Sequence, residues 1–270
     1  MPAVSTRAAA SHAAAPQRRV AVVTGGAGGI GAACVTALAR DGWRVVVCDL
    51  DGPGAGAVAR SVEGGVARTL DIADRAAVDE TARWVDDEVG PCAALVACAA
   101  RLENPHRPEE QDAAEWQRVI DVNVGGTFHT CRAFGARMQA RGAGAIVTIA
   151  SITALGSSPL VAYGPAKAAV VTMTRNLAVA WGRRGVRVNC VAPGPTLTPA
   201  VAASHARGER DPRAMVAATA LGRFVQPHEV AAPVAFLLSD AAAAITGTVL
   251  PVDAGVMVSG LWSMYGGVPA

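Results

Sequence analysis

Val20-Ala21-Val22-Val23-Thr24-Gly25-Gly26-Ala27-Gly28-Gly29-Ile30-Gly31 is the stretch on which the fold turns. Its first half is short, continuous and rich in valine, as a strand buried on both faces should be. Its second half carries five glycines and opens an uncharged helical run that lasts to Ala39. Glycines here permit a tight turn and let the backbone approach a pyrophosphate at the helix N-terminus. Unpaired N–H groups and the helix dipole favour an anion at that point. A glycine-rich turn alone says little; a strand before it and a helix after it make it specific.

The same alternation continues outward from this turn. Val20–Thr24, Arg44–Asp49, Val66–Leu70, Ala93–Cys98, Ala145–Ala150, Val186–Ala192 and Thr248–Val252 read as strands. Amphipathic segments lie between them, among them Arg75–Glu88, Gly126–Ala140 and Ala162–Arg183. The pattern predicts an α/β fold: one doubly wound parallel sheet of seven strands with helices on both faces. Thr198–Ala220 breaks the alternation. It is polar and helical in pattern, carries Pro199, Gly208 and Pro212, and is read as a lid over a site. Residues 1–17 read as a disordered tail, leaving residues 18–270 as a single domain.

The 270 residues carry a formal net charge of +2 with no block of like charge, which argues against nucleic acid and acidic membrane surfaces as partners. The six cysteines are scattered, without CxxC or metal-ligand spacing, and read as reduced thiols in a cytoplasmic protein that holds no metal. Arg18-Arg19 before an uncharged run imitates a secretion signal, but excising it would remove the first strand and its glycines. The uncharged stretch 142–166 is long enough to span a bilayer but is broken by glycine, serine and proline.

Eighteen residues beyond Gly31, at the end of the second strand, stands Asp49. A carboxylate there can accept hydrogen bonds from an adenosine ribose diol, and it would repel a 2′-phosphate. No lysine or arginine at positions 50–52 or in the glycine turn would neutralise that phosphate. NAD(H) is therefore the expected cofactor rather than NADP(H). Asp71, with the Ile72 backbone beside it, is expected at the adenine edge, although aspartate is also a common turn residue.

The chain contains one lysine, Lys167, four residues after Tyr163. A sequence that otherwise uses only arginine keeps a compact ammonium here. Residues four apart share a helix face, and a cation beside a phenol lowers its pKa toward the range of a general base.

Together these residues resemble the short-chain dehydrogenase/reductase family, from about Arg19 to Gly255. The family's TGxxxGxG corresponds to Thr24–Gly31, its asparagine to Asn123, its serine to Ser151, its YxxxK to Tyr163 and Lys167, and its PGxxxT to Pro193–Thr198. A last-strand pattern corresponds to Ile245–Gly255. Each motif alone is permissive; six in order are specific.

The resemblance implies a single-domain Rossmann-type fold and NAD(H)-dependent interconversion of a secondary alcohol and a ketone. It implies catalytic roles for Asn123, Ser151, Tyr163 and Lys167. Tyr163 would take the alcohol proton as hydride leaves for the nicotinamide, and Ser151 would donate to the substrate oxygen. Lys167 would also hold the nicotinamide ribose, and Asn123 would position a water leading to solvent. Cofactor contacts are implied for Gly25, Gly29, Ile30, Gly31, Ala99, Pro193, Gly194, Thr196 and Thr198. A homotetramer or homodimer is expected, with the aromatic stretch near Trp262 and Tyr265, within residues 256–270, at a subunit contact.

The chain departs from the family in places. Ala97-Cys98-Ala99-Ala100 replaces the family's Asn-Asn-Ala-Gly, removing side-chain ties between central strands and adding a methyl beside the cofactor. Ser151 stands twelve residues before Tyr163, one fewer than is common, and Thr196 replaces a usual Val or Ile. Expected pocket walls are Ile152–Thr153, Ser157–Leu160, Pro195–Leu197, His205 and Met215, mainly small and apolar; Arg101 could meet an anionic or polyol substrate but reads rather as a solvated loop residue. A small polyol, cyclic alcohol or similar metabolite is the expected substrate. The rival readings are an NADPH-dependent biosynthetic ketoreductase, opposed by Asp49, and a silent NAD-binding regulator, supported only by the altered 97–100 segment.

Overall fold

The computed structural model describes residues 18–209 and 211–268. The tail expected over residues 1–17 lies outside them. In chain order the elements are β1 (Val20–Thr24), α1 (Gly29–Arg40), β2 (Arg44–Asp49), α2 (Gly52–Arg60), β3 (Val66–Thr69), α3 (Arg75–Trp84) and β4 (Cys92–Ala97). They continue with α4 (Ala113–Ile120), α5 (Thr127–Arg141), β5 (Gly144–Ile149), α6 (Tyr163–Gly182), β6 (Val186–Pro193), α7 (Pro199–Ala206), α8 (Pro212–Ala217), α9 (Pro227–Leu238), β7 (Val249–Val252) and α10 (Val256–Ser259). The strands form one seven-stranded parallel sheet in the order β3-β2-β1-β4-β5-β6-β7. Every strand read from the sequence is present, with ends shifted by at most one residue.

The valine-rich strands are buried on both sides because helices cover both faces of the sheet. Val23, Val45 and Val47 pack with Leu38 of α1 and Val234 and Leu237 of α9. Val22 and Val46 point the other way and join Val78 of α3 with Phe134 and Met138 of α5. Successive residues of a strand face opposite sides, so one continuous apolar run supplies both cores.

One expected helix is interrupted. The segment expected as one helix from Arg75 to Glu88 leaves α-geometry at Trp84 and finishes in a wide π-turn, Val85–Val89. There the Asp86 carboxylate accepts the Cys92 N–H at 3.2 Å and steers the chain into β4. A second π-turn, Asp121–Gly126, joins α4 to α5. Such turns insert a residue into a helix and re-aim the side chains within it. The segment read as a lid holds two short helices, α7 and α8, whose first turns are capped by Thr198 and Asp211.

The strand order reverses between β1 and β4, and in open parallel sheets the crevice beyond the strand ends at such a point receives ligands. The loops after β1, β2, β4, β5 and β6 meet there.

No described helix is long and apolar enough to cross a membrane. The six cysteines are free thiols, and no metal-binding cluster occurs among the described residues.

Candidate active site

The glycine turn is built by close approach. Gly25 lies at φ +69°, and a Cβ there would come within 2.7 Å of the Ala99 backbone. A Cβ at Gly31 would stand 1.9 Å from the Gly25 carbonyl oxygen, so the first turn of α1 presses directly on the turn before it. The Thr24 hydroxyl accepts from the Cys98 and Ala99 N–H groups at 3.2 and 3.4 Å. That contact ties β1 to the end of β4, where the asparagine side chains expected of the family are missing.

Asp49 closes the other side of the turn. Its Oδ2 accepts the Ala27 N–H at 2.9 Å and its Oδ1 accepts the Asp51 N–H at 3.0 Å. Asp71 is exposed, and its carboxylate accepts the Ala73 N–H at 2.9 Å, the turn use open to it from the sequence. Ile72 is buried beside it.

Tyr163 begins α6 and Lys167 follows one turn later. The Lys167 ammonium lies 5.4 Å from the centroid of the Tyr163 ring and donates to the Ile149 carbonyl at 2.8 Å. Lys167 is 2% exposed, and burial draws its pKa down to about 8, leaving it charged at neutral pH. Cys98 and Cys190 face it, but burial pushes both thiols up, Cys98 to about 11, so neither offers a compensating negative charge.

Ser151 stands two residues beyond β5 and accepts the Thr153 N–H at 3.2 Å, which occupies a lone pair and leaves the hydroxyl hydrogen available. Its capping and donating uses are therefore compatible. Asn123 sits in the second π-turn, fully buried. Its Nδ2 donates to the Arg101 carbonyl at 2.9 Å and its Oδ1 accepts the Arg101 N–H at 3.2 Å. The amide is committed to clamping the loop after β4.

These groups share one cleft of about 890 Å³. Gly25, Gly29, Ile30, Gly31, Asp49, Asp71, Ile72, Ala99, Pro193, Gly194, Thr196, Thr198, Ser151, Tyr163 and Lys167 all line it. Asn123 is not on the wall. Of the expected substrate walls, Ile152, Thr153, Ser158, Pro159, Leu160, Pro195, Thr196 and Met215 line the cleft; Ser157, Leu197 and His205 do not. The His205 ring instead packs against Phe224 at 5.3 Å. Thr196 spends its hydroxyl on the Gly194 carbonyl at 3.0 Å. Arg101 is an exposed loop residue, as expected, and its guanidinium binds the Glu115 carboxylate through Nε at 2.7 Å and Nη2 at 2.9 Å.

A buried carboxylate of the site was absent from the sequence reading. Glu103, in the loop after β4, is 4% exposed and lines the cleft. Its carboxylate accepts the N–H groups of Ala162 and Tyr163 at the head of α6. No periodicity or motif marks it, because its partners lie about sixty residues away.

Residues 25–257 match the family described as enoyl-(acyl carrier protein) reductase. The chain is 41% identical to a cis-4-hydroxycyclohexanecarboxylate dehydrogenase of Sinomonas cyclohexanicum over 88% of this chain and 96% of that one. It is also 41% identical to a D-threitol dehydrogenase of Mycolicibacterium smegmatis over 89% and 93% of the two chains. The chain belongs to the short-chain dehydrogenase/reductase family. A solved structure described as a ribose-5-phosphate isomerase from Brucella melitensis 16M is 44% identical, with a TM-score of 0.92 over 94% of this chain and 98% of that one. Another, ElxO with NADP bound, is 26% identical, with a TM-score of 0.84 over 89% and 99% of the two chains. Fold likeness thus leaves the 2′-phosphate question to the residues of this short-chain dehydrogenase/reductase itself.

Proposed function

We propose that the protein is an NAD(H)-dependent dehydrogenase that interconverts a secondary alcohol and a ketone. The observation that carries this reading is the single cleft lined by the glycine turn and Asp49 together with Ser151, Tyr163 and Lys167. A nicotinamide dinucleotide fits the residues present. The head of α1 offers unpaired N–H groups to a pyrophosphate, with Gly25, Gly29, Ile30 and Gly31 beside it. Asp49 is suited to the adenosine ribose, and Asp71 and Ile72 to the adenine edge. Ala99, Pro193, Gly194, Thr196 and Thr198 would flank the nicotinamide half, and Lys167 its ribose. When bound, the cofactor supplies the hydride acceptor for oxidation or donor for reduction.

The chain's own residues move the proton. Tyr163 takes it from the alcohol hydroxyl, or returns it to the ketone oxygen, as general base or acid. The buried Lys167 ammonium favours the phenolate form and is held in place by the Ile149 carbonyl. Ser151 donates its hydroxyl hydrogen to the substrate oxygen as charge develops there. Asn123 acts by holding the Arg101 backbone, which fixes the loop on the substrate side.

The substrate part of the cleft carries Ile152, Leu160, Pro195 and Met215, and its arginine, Arg101, is already paired. A small polyol or cyclic alcohol suits such walls, and the two dehydrogenases named above support that class. Assembly as a homotetramer or homodimer through residues 256–268, and a cytoplasmic setting, belong to the same proposal. Val258, Leu261 and Tyr265 are exposed apolar side chains that such a contact would cover.

The first test is titration with NADH and NADPH by nicotinamide fluorescence. Oxidation of D-threitol, cis-4-hydroxycyclohexanecarboxylate and related alcohols with NAD follows. Tighter NADH binding with NAD-dependent turnover is expected; preference for NADPH would favour the ketoreductase alternative. The isomerase named for one similar structure is a second reading, because aldose–ketose exchange needs no nicotinamide. Failure to bind either cofactor, with isomerisation of a sugar phosphate, would replace the dehydrogenase reading.

A further inference from the structure

We propose that Glu103 is a positioning residue that sets the pose of Tyr163 by tying the loop after β4 to the first turn of α6. The inference rests on Tyr163 being the proton-transfer residue. One oxygen, Oε2, receives the Tyr163 N–H at 2.7 Å and the Ala162 N–H at 3.0 Å, while Oε1 shares the Ala162 N–H at 3.3 Å and lies 3.6 Å from His106 Nε2. The side chain is 1% exposed. Burying a carboxylate is costly unless hydrogen bonds and opposite charge meet it. Here two N–H groups and the positive end of a twenty-residue helix do so.

An ordinary cap would not need this arrangement. α3 and α4 are capped by Asp74 and Asp112, each immediately before its helix, whereas the residue before α6 is Ala162, which supplies no side-chain cap. The cap of α6 comes from a segment whose other contacts are equally fixed. Two residues before Glu103, the Arg101 backbone is clamped by Asn123 and its guanidinium is held by Glu115. The loop that presents Leu102 and Pro105 to the cleft is thereby locked to the helix that presents Tyr163. Proton transfer demands tight geometry, and a displacement of about 1 Å can lower a rate by roughly 10²-fold.

The test compares Glu103→Ala, Glu103→Gln, Glu103→Asp and Tyr163→Phe for kcat, substrate KM and NADH dissociation constant. The substrate is the alcohol turned over fastest in the screen above. The amide oxygen of glutamine can take over both bonds of Oε2, so Glu103→Gln should keep kcat within about threefold. Glu103→Ala should lose about tenfold or more in kcat with NADH affinity unchanged, and the shortened Glu103→Asp should fall in the same direction. Wild-type kcat in a folded Glu103→Ala protein overturns the proposal. So does a kcat loss matched by an equal loss of NADH affinity, which would mark Glu103 as general support of the fold. Should Glu103→Ala fail to fold, Glu103→Asp decides on the same two criteria. Full activity of Tyr163→Phe would instead overturn the acid/base reading, whatever Glu103 does.

Discussion

The carboxylate of Asp49 reaches across from β2 to the Ala27 N–H at 2.9 Å, so the acidic residue and the glycine turn form one rigid corner of the cleft. A negative charge fixed there is poorly placed to tolerate a 2′-phosphate. Like charges about 4 Å apart cost roughly 4 kcal/mol at an effective dielectric near 20, and partial exposure of Asp49 reduces this. Asp49→Ala is expected to shift the ratio of NADPH to NADH dissociation constants toward NADPH by about tenfold. Fluorescence titration of both cofactors checks it, and an unchanged ratio would remove Asp49 from the ribose site.

Tyr163→Phe removes one oxygen from the head of α6 and leaves the cofactor end of the cleft intact. General acid/base groups contribute about 10²–10⁴-fold, so kcat should fall by that order while NADH binding stays the same. Steady-state kinetics beside a binding titration reads both quantities.

Lys167 should weaken the protein that it equips for chemistry. Its pKa is drawn by burial from 10.5 to about 8. Between those values the unfolded chain holds a proton that the folded chain has released, so this group's contribution to stability rises with pH across that window and is lowest below it. At about 1.4 kcal/mol per pKa unit the cost near neutrality is on the order of 3 kcal/mol. Losing the bond to the Ile149 carbonyl takes back about 1 kcal/mol. Lys167→Met should therefore raise the stability of the cofactor-free protein by about 1–2 kcal/mol at pH 7 and abolish turnover. The gain should shrink toward pH 10.5, as urea unfolding at several pH values would reveal; lower stability at pH 7 would contradict it.

Asn123→Ala strands the Arg101 N–H and carbonyl that the amide now satisfies. Two lost hydrogen bonds at a buried site should cost about 2–4 kcal/mol. In a chain of this size that lowers Tm by roughly 4–7 °C, measurable by calorimetry.

What could be read from the chain was whatever is written locally. The run Val20–Gly31 spells strand, turn and helix within twelve residues, and Tyr163 and Lys167 declare one helix face by their spacing. The sheet followed from the repetition of such runs. Glu103 could not be placed this way, because its work is done on backbone atoms of a segment far along the chain. Asp121–Gly126 hid its π-turn for a related reason: helical periodicity continues on both sides and does not register one inserted residue. The pairing of the exposed Arg101 with Glu115 was equally illegible, because that partner joins it only when α4 folds back on the loop.

The chain's one lysine lies deep in α6, 2% exposed. A lysine-specific endoprotease therefore has a single target in all 270 residues, Lys167-Ala168, and cannot reach it while that helix is packed. Cutting requires the helix to open, so its rate records how often the molecule takes apart its own centre. Occupancy of the cleft by a cofactor should slow that clock by the factor its binding adds to stability. The residue kept for its charge thus doubles as a built-in gauge of opening, read from the yield of two fragments on a gel.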